Sequence, residues 1–188
     1  MSVEPRQGRL PLEPDPDLEA VRAAQADRAE FAILYRRYLD RVYGYCFYLL
    51  GDHHDAEDAT ERTFLAALGA IGRFRHEGST FRAWLFRIAH NQLANALRGR
   101  RRRATTPLDT LPEPPADDDP ADAVHRADEA RRVRRALDKL SEDRRQVLVL
   151  RFVNGLTAWE IGEVLGRSAG AVRVLQHRAL RDLERLLS

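Results

Sequence analysis

The sequence predicts an all-α protein: two small helical domains joined by a flexible linker rich in proline and aspartate. Three observations predict it. Apolar residues recur at three- and four-residue spacing on both sides of a central segment, the period of a helix with one buried face. No comparable strand alternation occurs in the chain. Between the periodic stretches, Thr105 to Asp122 holds Pro107, Pro112, Pro114, Pro115 and Pro120 with five aspartates and a glutamate, a composition that cannot offset ordering entropy by burial. The expected division is a partly flexible leader over 1–24, a first body over 25–103, the linker over 104–127 and a second body over 128–188.

The elements follow in order. The leader begins proline-rich and mobile, then carries a weak helical pattern through Leu18, Val21 and Ala24. Phe31, Leu34, Tyr35, Tyr38, Val42, Cys46 and Leu49 form the first full stripe, ended by Gly51 and Asp52. A second runs Ala56, Ala59, Thr60, Thr63, Phe64, Ala67 and Ile71, and a third Trp84, Leu85, Ile88, Ala89, Gln92, Leu93 and Ala96. These three helices can share one core, to which Phe74, Phe81 and Trp84 add aromatic bulk. Gly78 frees the chain to turn before the third helix, and Ser79 or Thr80 can cap it. Past the linker, Val133, Leu137 and Leu140 make one stripe and Val147, Leu148, Leu150 and Phe152 another, with two further helices reaching Leu187.

Composition narrows the function classes. At 188 residues and 44% hydrophobic content, the chain can build packed cores. No run approaches the roughly 20 apolar residues that span a bilayer. Glu4, Glu13, Asp15 and Asp17 among prolines leave no signal-peptide stretch at the N-terminus, so a cytoplasmic protein without membrane insertion is expected. Cys46, the only cysteine, reads as a buried, reduced thiol. The six histidines show no metal-ligand spacing such as H-E-x-x-H, and no glycine loop suited to phosphate occurs. No catalytic residue, metal or cofactor is therefore expected, and the protein is not read as an enzyme. His53-His54, between Asp52 and Asp55, reads as a polar turn.

The formal charge is only +2, but it is distributed in blocks, and local distribution sets the field a partner senses. Arg98, Arg100 to Arg103 and Arg131 to Arg135 are basic, whereas Asp109 to Asp122 holds acids and no base. Lys139 is the single lysine. Arginine suits planar contacts to phosphates and bases.

The most specific local signal lies between Gly155 and Leu180. Gly155 can end one helix in a left-handed conformation, and Thr157 with Glu160 forms a T-x-x-E capping box that starts the next. Gly162 permits a close approach, Gly166 a tight turn, and Val172 plugs the junction, the punctuation of a helix-turn-helix. Ser168 caps the last helix. Val172, Leu175 and Ala179 face inward, while Arg173, Gln176, His177 and Arg178 can point outward, as residue types that pair with base edges. Which of Val174 and Gln176 faces the bases is open by one helical step.

In the first body, Asp55, Glu57, Asp58 and Glu61 stand outside their apolar stripe as an acidic ridge. The following helix presents Arg82, Arg87, Asn91, Asn95 and Arg98 beside the arginine run. Asp55-Ala-Glu-Asp-Ala-Thr-Glu-Arg-Thr-Phe64, then Phe81-Arg-Ala-Trp-Leu-Phe-Arg-Ile-Ala-His-Asn91, then the helix-turn-helix resemble, in order and spacing, the extracytoplasmic-function sigma factors of the bacterial sigma-70 family. The resemblance covers Asp27 to Arg103 as that family's region 2 and Arg131 to Leu187 as its region 4. It implies an alternative sigma factor that binds core RNA polymerase and directs promoter recognition and melting. It implies Asp55, Asp58 and Glu61 as contacts to the β′ clamp helices, with the β subunit as a further surface. Asn91 and Asn95 would read the −10 element, with Arg98, Arg101 and Arg102 on its backbone. Ser168, Arg173, Gln176, His177 and Arg178 would read the duplex −35 element. An anti-sigma factor is a further partner that the resemblance implies, and the acidic linker would thread a polymerase channel or serve as a plain tether. Family members often have glutamine at the position of Glu61, and many follow the recognition-helix valine with a basic residue, serine and arginine, so the promoter sequence does not transfer. The rival reading is an autonomous helix-turn-helix regulator that binds duplex DNA without polymerase.

Overall fold

The computed structural model describes residues 15–76, 78–103 and 132–188, with side chains in the second span described to Arg98. Among these residues every regular element is helical. They are α1 (Leu18–Ala26), α2 (Phe31–Leu50), α3 (His53–Ala70), α4 (Phe81–Arg103), α5 (residues 132–138), α6 (Glu142–Leu148), α7 (Ala158–Leu165) and α8 (Ala169–Leu187). The expected linker, the first part of the leader and the side chains of Arg101 and Arg102 lie outside the described residues.

The first body packs α2, α3 and α4 around the predicted stripes. Phe31, Leu34, Tyr38, Val42, Cys46 and Leu49 of α2 are buried against Ala56, Ala59, Phe64 and Ala67 of α3 and Leu85, Phe86, Ala89 and Leu93 of α4. Small residues on α3 let it lie close to α2. The buried Thr60 and Thr63 hydroxyls donate to the Ala56 and Ala59 carbonyls at 2.7 Å each, so neither is left unsatisfied. Burial pushes the Cys46 thiol up to about 12, keeping it protonated and inert. Thr80 caps α4, its hydroxyl accepting the Ala83 N–H at 3.1 Å. Trp84 is half-buried, its ring 5.1 Å from that of Phe74 and 5.6 Å from that of Phe81. Tyr35 departs from the expected stripe. It is 40% exposed at the edge of the core, 4.7 Å from the Phe64 ring.

The boundary expected at residue 24 falls inside α1, which contributes Val21 and Ala24 to the same core. Asp15 accepts the Phe81 backbone N–H at 2.7 Å, and Asp17 accepts hydrogen bonds from the Tyr38 hydroxyl and Arg37. Acids that look solvated in a proline-rich segment thus tie the end of the leader to α2 and α4.

The second body differs from its predicted stripes at two places. Val133 and Phe152 were expected inside and are exposed, Phe152 by 61%. For Phe152 the cause is a π-turn over Val149–Val153 that continues α6. The Asn154 N–H reaches back five residues to the Val149 carbonyl at 3.1 Å. That wider turn rotates the helix face, so Val147, Leu148, Val149 and Leu150 are all buried while Phe152 swings out.

The two helical domains share one interior. Val147, Leu150, Leu156, Ile161 and Val172 of the second belong to the same buried cluster as Tyr45, Phe86 and Leu93 of the first. Helix α7 lies along α4, and the π-turn meets α2.

Candidate nucleic-acid and partner interfaces

Asp52 starts α3 by accepting the Asp55 N–H at 2.9 Å. With Ala56, Ala59, Thr60 and Thr63 turned inward, the helix period carries Asp55, Asp58 and Glu61 to the outer side, where Glu61 is exposed and Asp55 and Asp58 half-buried. Asp58 also meets Arg62 at 3.0 Å, a surface pair one turn apart that contributes little. Beside this acidic ridge a groove of about 930 Å³ runs between α2 and α3, floored by Tyr35, Leu39, Phe64, Leu65 and Leu68 and edged by Glu57, Asp58 and Glu61. Leu65 is 60% exposed within the groove. Sequence reasoning located the acids and missed the apolar floor, because Tyr35 was counted as core and Leu65 lay between stripes. His53, at the start of α3, stacks on Phe47 with ring centroids 4.5 Å apart and is hydrogen-bonded to the Tyr43 hydroxyl. Among the described residues no group of three or more His, Cys, Asp or Glu could hold a metal ion.

Helix α4 has two faces. Leu85, Phe86, Ala89 and Leu93 are buried, and Arg87, Asn91, Asn95 and Arg98 form an exposed row at helical spacing. Arg98 donates to the Asn95 side-chain oxygen. Arg82, expected on this face, turns away to the second body.

The helix-turn-helix is built as its punctuation predicts. The Thr157 hydroxyl accepts the Glu160 N–H at 3.2 Å, and Glu160 accepts the Thr157 N–H at 2.8 Å, closing the capping box. Gly166 makes the turn at φ 66°, in the left-handed region. A Cβ at Gly162 would stand 2.5 Å from the Arg167 carbonyl oxygen, so only glycine admits that turn. Ser168 caps α8 by accepting the Ala171 N–H at 3.2 Å. Val172 and Ala179 are buried. Ser168, Arg173, His177 and Arg178 are exposed, and Gln176 is half-buried on the inner flank.

One contact between the two bodies had no sequence signal. Glu160 is only 3% exposed, and besides its own cap it accepts from the Thr80 hydroxyl at 2.8 Å and from Arg82 Nε and Nη2 at 3.0 and 2.7 Å. Burial alone would push this carboxyl up. The Arg82 guanidinium and the Thr157 and Thr80 donors outweigh it and hold the carboxyl below its ordinary value. Nearby, the Arg134 guanidinium sits 4.2 Å from the Phe47 ring centroid, a second cation placed by one body on the other.

Residues 34–103 match the family model for Sigma-70 region 2, and residues 136–185 that for Sigma-70 region 4. The ECF RNA polymerase sigma factor BldN of Streptomyces coelicolor is 38% identical over 172 residues, covering 90% of this chain and 65% of BldN. The ECF RNA polymerase sigma factor ShbA of Streptomyces griseus is 39% identical over 143 residues, covering 73% of this chain and 75% of ShbA. The chain thus spans less than two thirds of BldN's length and three quarters of ShbA's. Among solved structures, CnrH in complex with the cytosolic domain of CnrY aligns with a TM-score of 0.68 at 28% identity, over 91% of this chain and 96% of CnrH. With both regions matched in order and relatives of this name aligned across most of its length, the chain belongs to the extracytoplasmic-function sigma factors of the sigma-70 family.

Proposed function

We propose that the chain is an alternative sigma factor that binds core RNA polymerase, recognises and melts promoters, and carries out no catalytic step itself. The observation that carries the reading is the pairing of opposed chemistries in one body. An acid-rimmed apolar groove lies on α3, an Asn/Arg row lies on the next helix, and a capped helix-turn-helix follows. The groove suits a basic amphipathic helix, and the β′ clamp helices are the surface that the family supplies. Asp55, Asp58 and Glu61 then make the polar contacts, around apolar anchors at Tyr35 and Leu65. Asn91 and Asn95 hold bases of the opened −10 strand by their edges, with Arg98 and the following arginines on phosphates. Helix α8 enters the major groove of the −35 duplex. The site of action is the cytoplasm, where polymerase works; no described helix is long and apolar enough to cross a membrane. That CnrH was captured with the cytosolic domain of CnrY supports a further protein partner for this chain, in the role of an anti-sigma factor.

The −10 and −35 elements, about 25 base pairs apart, lie about 85 Å apart along B-form duplex, whereas a compact chain of this length is about 40 Å across. The two bodies must separate to read both.

The test is complex formation with sigma-free core polymerase by size exclusion, comparing the parent chain with a double variant, Asp58→Arg and Glu61→Arg. Co-elution of the parent and its loss in the folded variant is the expected result. A parent that ignores core polymerase yet binds duplex DNA by itself would instead be an autonomous regulator.

A further inference from the structure

The outer face of α8 carries one apolar side chain among cations. At 100° per residue, buried Val172 and Ala179 set the inward direction, and the opposite side is occupied by Gly170, Val174, His177 and Arg181, with Arg173 and Arg178 on its flanks. Val174 is 53% exposed, whereas Gln176 is half-buried toward the core. Of these two, Val174 therefore stands at the centre of the free face. Folding does not account for a valine there. It buries no core surface, and a β-branched residue is a poorer helix former than alanine. One turn earlier, Gly170 keeps the surface low: a Cβ there would meet nothing nearer than Ser168 Oγ at 3.9 Å, so the bare backbone is not required by the chain's own packing.

Resting on the reading of α8 as the −35 duplex reader, we propose that Val174 is a specificity-determining residue that selects one thymine by packing against its C5-methyl group. The edges of base pairs in the major groove are donors and acceptors except for that methyl, the one apolar group displayed there. The surrounding Arg173, His177, Arg178 and Arg181 supply the charge that holds phosphates and leave Val174 as the only side chain at the centre of the face with no hydrogen bond to offer. A valine in that setting discriminates by shape and burial. It favours a T·A pair in one orientation and is indifferent to polar edges that arginine could read.

The experiment uses holoenzyme assembled from the full chain and core polymerase, transcribing a duplex promoter library randomised across the −35 element, with the transcripts sequenced. The parent chain is expected to enrich a T·A pair in one orientation at one position, and Val174→Ser, a surface change, to lose that enrichment while keeping the other positions. The selected thymine is then replaced by deoxyuracil, which removes the methyl and nothing else. Transcription by the parent should fall about fourfold, the ratio that burial of one such group corresponds to, and transcription by Val174→Ser should not change. Equal use of thymine and uracil by the parent, or the same T·A enrichment in the variant, overturns the proposal. Failure of the underlying sigma reading looks different, since neither chain would then transcribe any library member, and the proposal would fall with it.

Discussion

Gly162 and Gly170 are eight residues apart in one helix-turn-helix and are glycines for different reasons. At Gly162 the missing Cβ is a steric requirement, because the Arg167 carbonyl oxygen occupies its place at 2.5 Å and backbone cannot move aside as a flexible side chain can. Gly162→Ala should therefore cost about 1–3 kcal/mol through forced rearrangement. Gly170→Ala, with its nearest neighbour at 3.9 Å, should stay within about 1 kcal/mol of the parent, helped by the better helix propensity of alanine. Urea denaturation of the two variants checks this, and equal midpoints would show that the tight turn is not what Gly162 secures. The same distinction separates the acids at this scale. Glu160 closes a cap and receives a guanidinium in a buried site, whereas Asp58 pairs with Arg62 on the surface and remains available for an exchange of partners.

At the scale of elements, α4 shows how one helix can hold a core on one side and present a polar row on the other. Its buried residues and its row Arg87, Asn91, Asn95, Arg98 are set by the same period, so the row is held rigidly by the packing behind it. Asn91→Ala with Asn95→Ala should leave co-elution with core polymerase unchanged, because the acidic groove lies on α2 and α3. It should slow opening of the −10 region about thirtyfold, at roughly 1 kcal/mol for each amide hydrogen bond to a base that the double variant can no longer make. Fluorescence of 2-aminopurine placed in the −10 element reports opening directly, and parental opening by the double variant would remove α4 as the reader. Such local features were legible in the sequence because their causes lie within a few residues: Thr157 with Glu160, Ser168 with Ala171, Gly166 at its turn. Phe152 was misplaced because a π-turn leaves no mark in a 3.6-residue pattern. Tyr35 was misplaced because an apolar residue at the rim of a groove has the same spacing as one in the core. Arg82 was assigned to the outer face for a third reason, that its partner Glu160 stands 78 residues away and no spacing rule connects them.

For the whole molecule, the shared interior and the proposed reach of the two promoter elements pull in opposite directions, and Arg82 with Glu160 is where the balance can be measured. Glu160 keeps its own capping box if Arg82 is removed, so Arg82→Ala strikes the contact between the bodies and spares the helix-turn-helix. A buried carboxylate that loses its cation costs about 3 kcal/mol, and separation of the bodies relieves that cost by returning Glu160 to water. The variant should therefore show a larger radius of gyration in small-angle X-ray scattering, and two thermal transitions where the parent, with one continuous core, shows one. Acid should act in the same direction. The folded-state value of Glu160 lies below its ordinary one, so its contribution is fully present above the ordinary carboxylate range and is lost as pH falls through the lowered value. The parent should accordingly expand as pH falls below the ordinary carboxylate range, and Arg82→Ala, already open, should expand less over the same interval. Identical scattering from parent and variant at neutral pH would mean that the apolar packing of α7 on α4 holds the bodies together by itself, and that polymerase must supply the whole free energy of opening them.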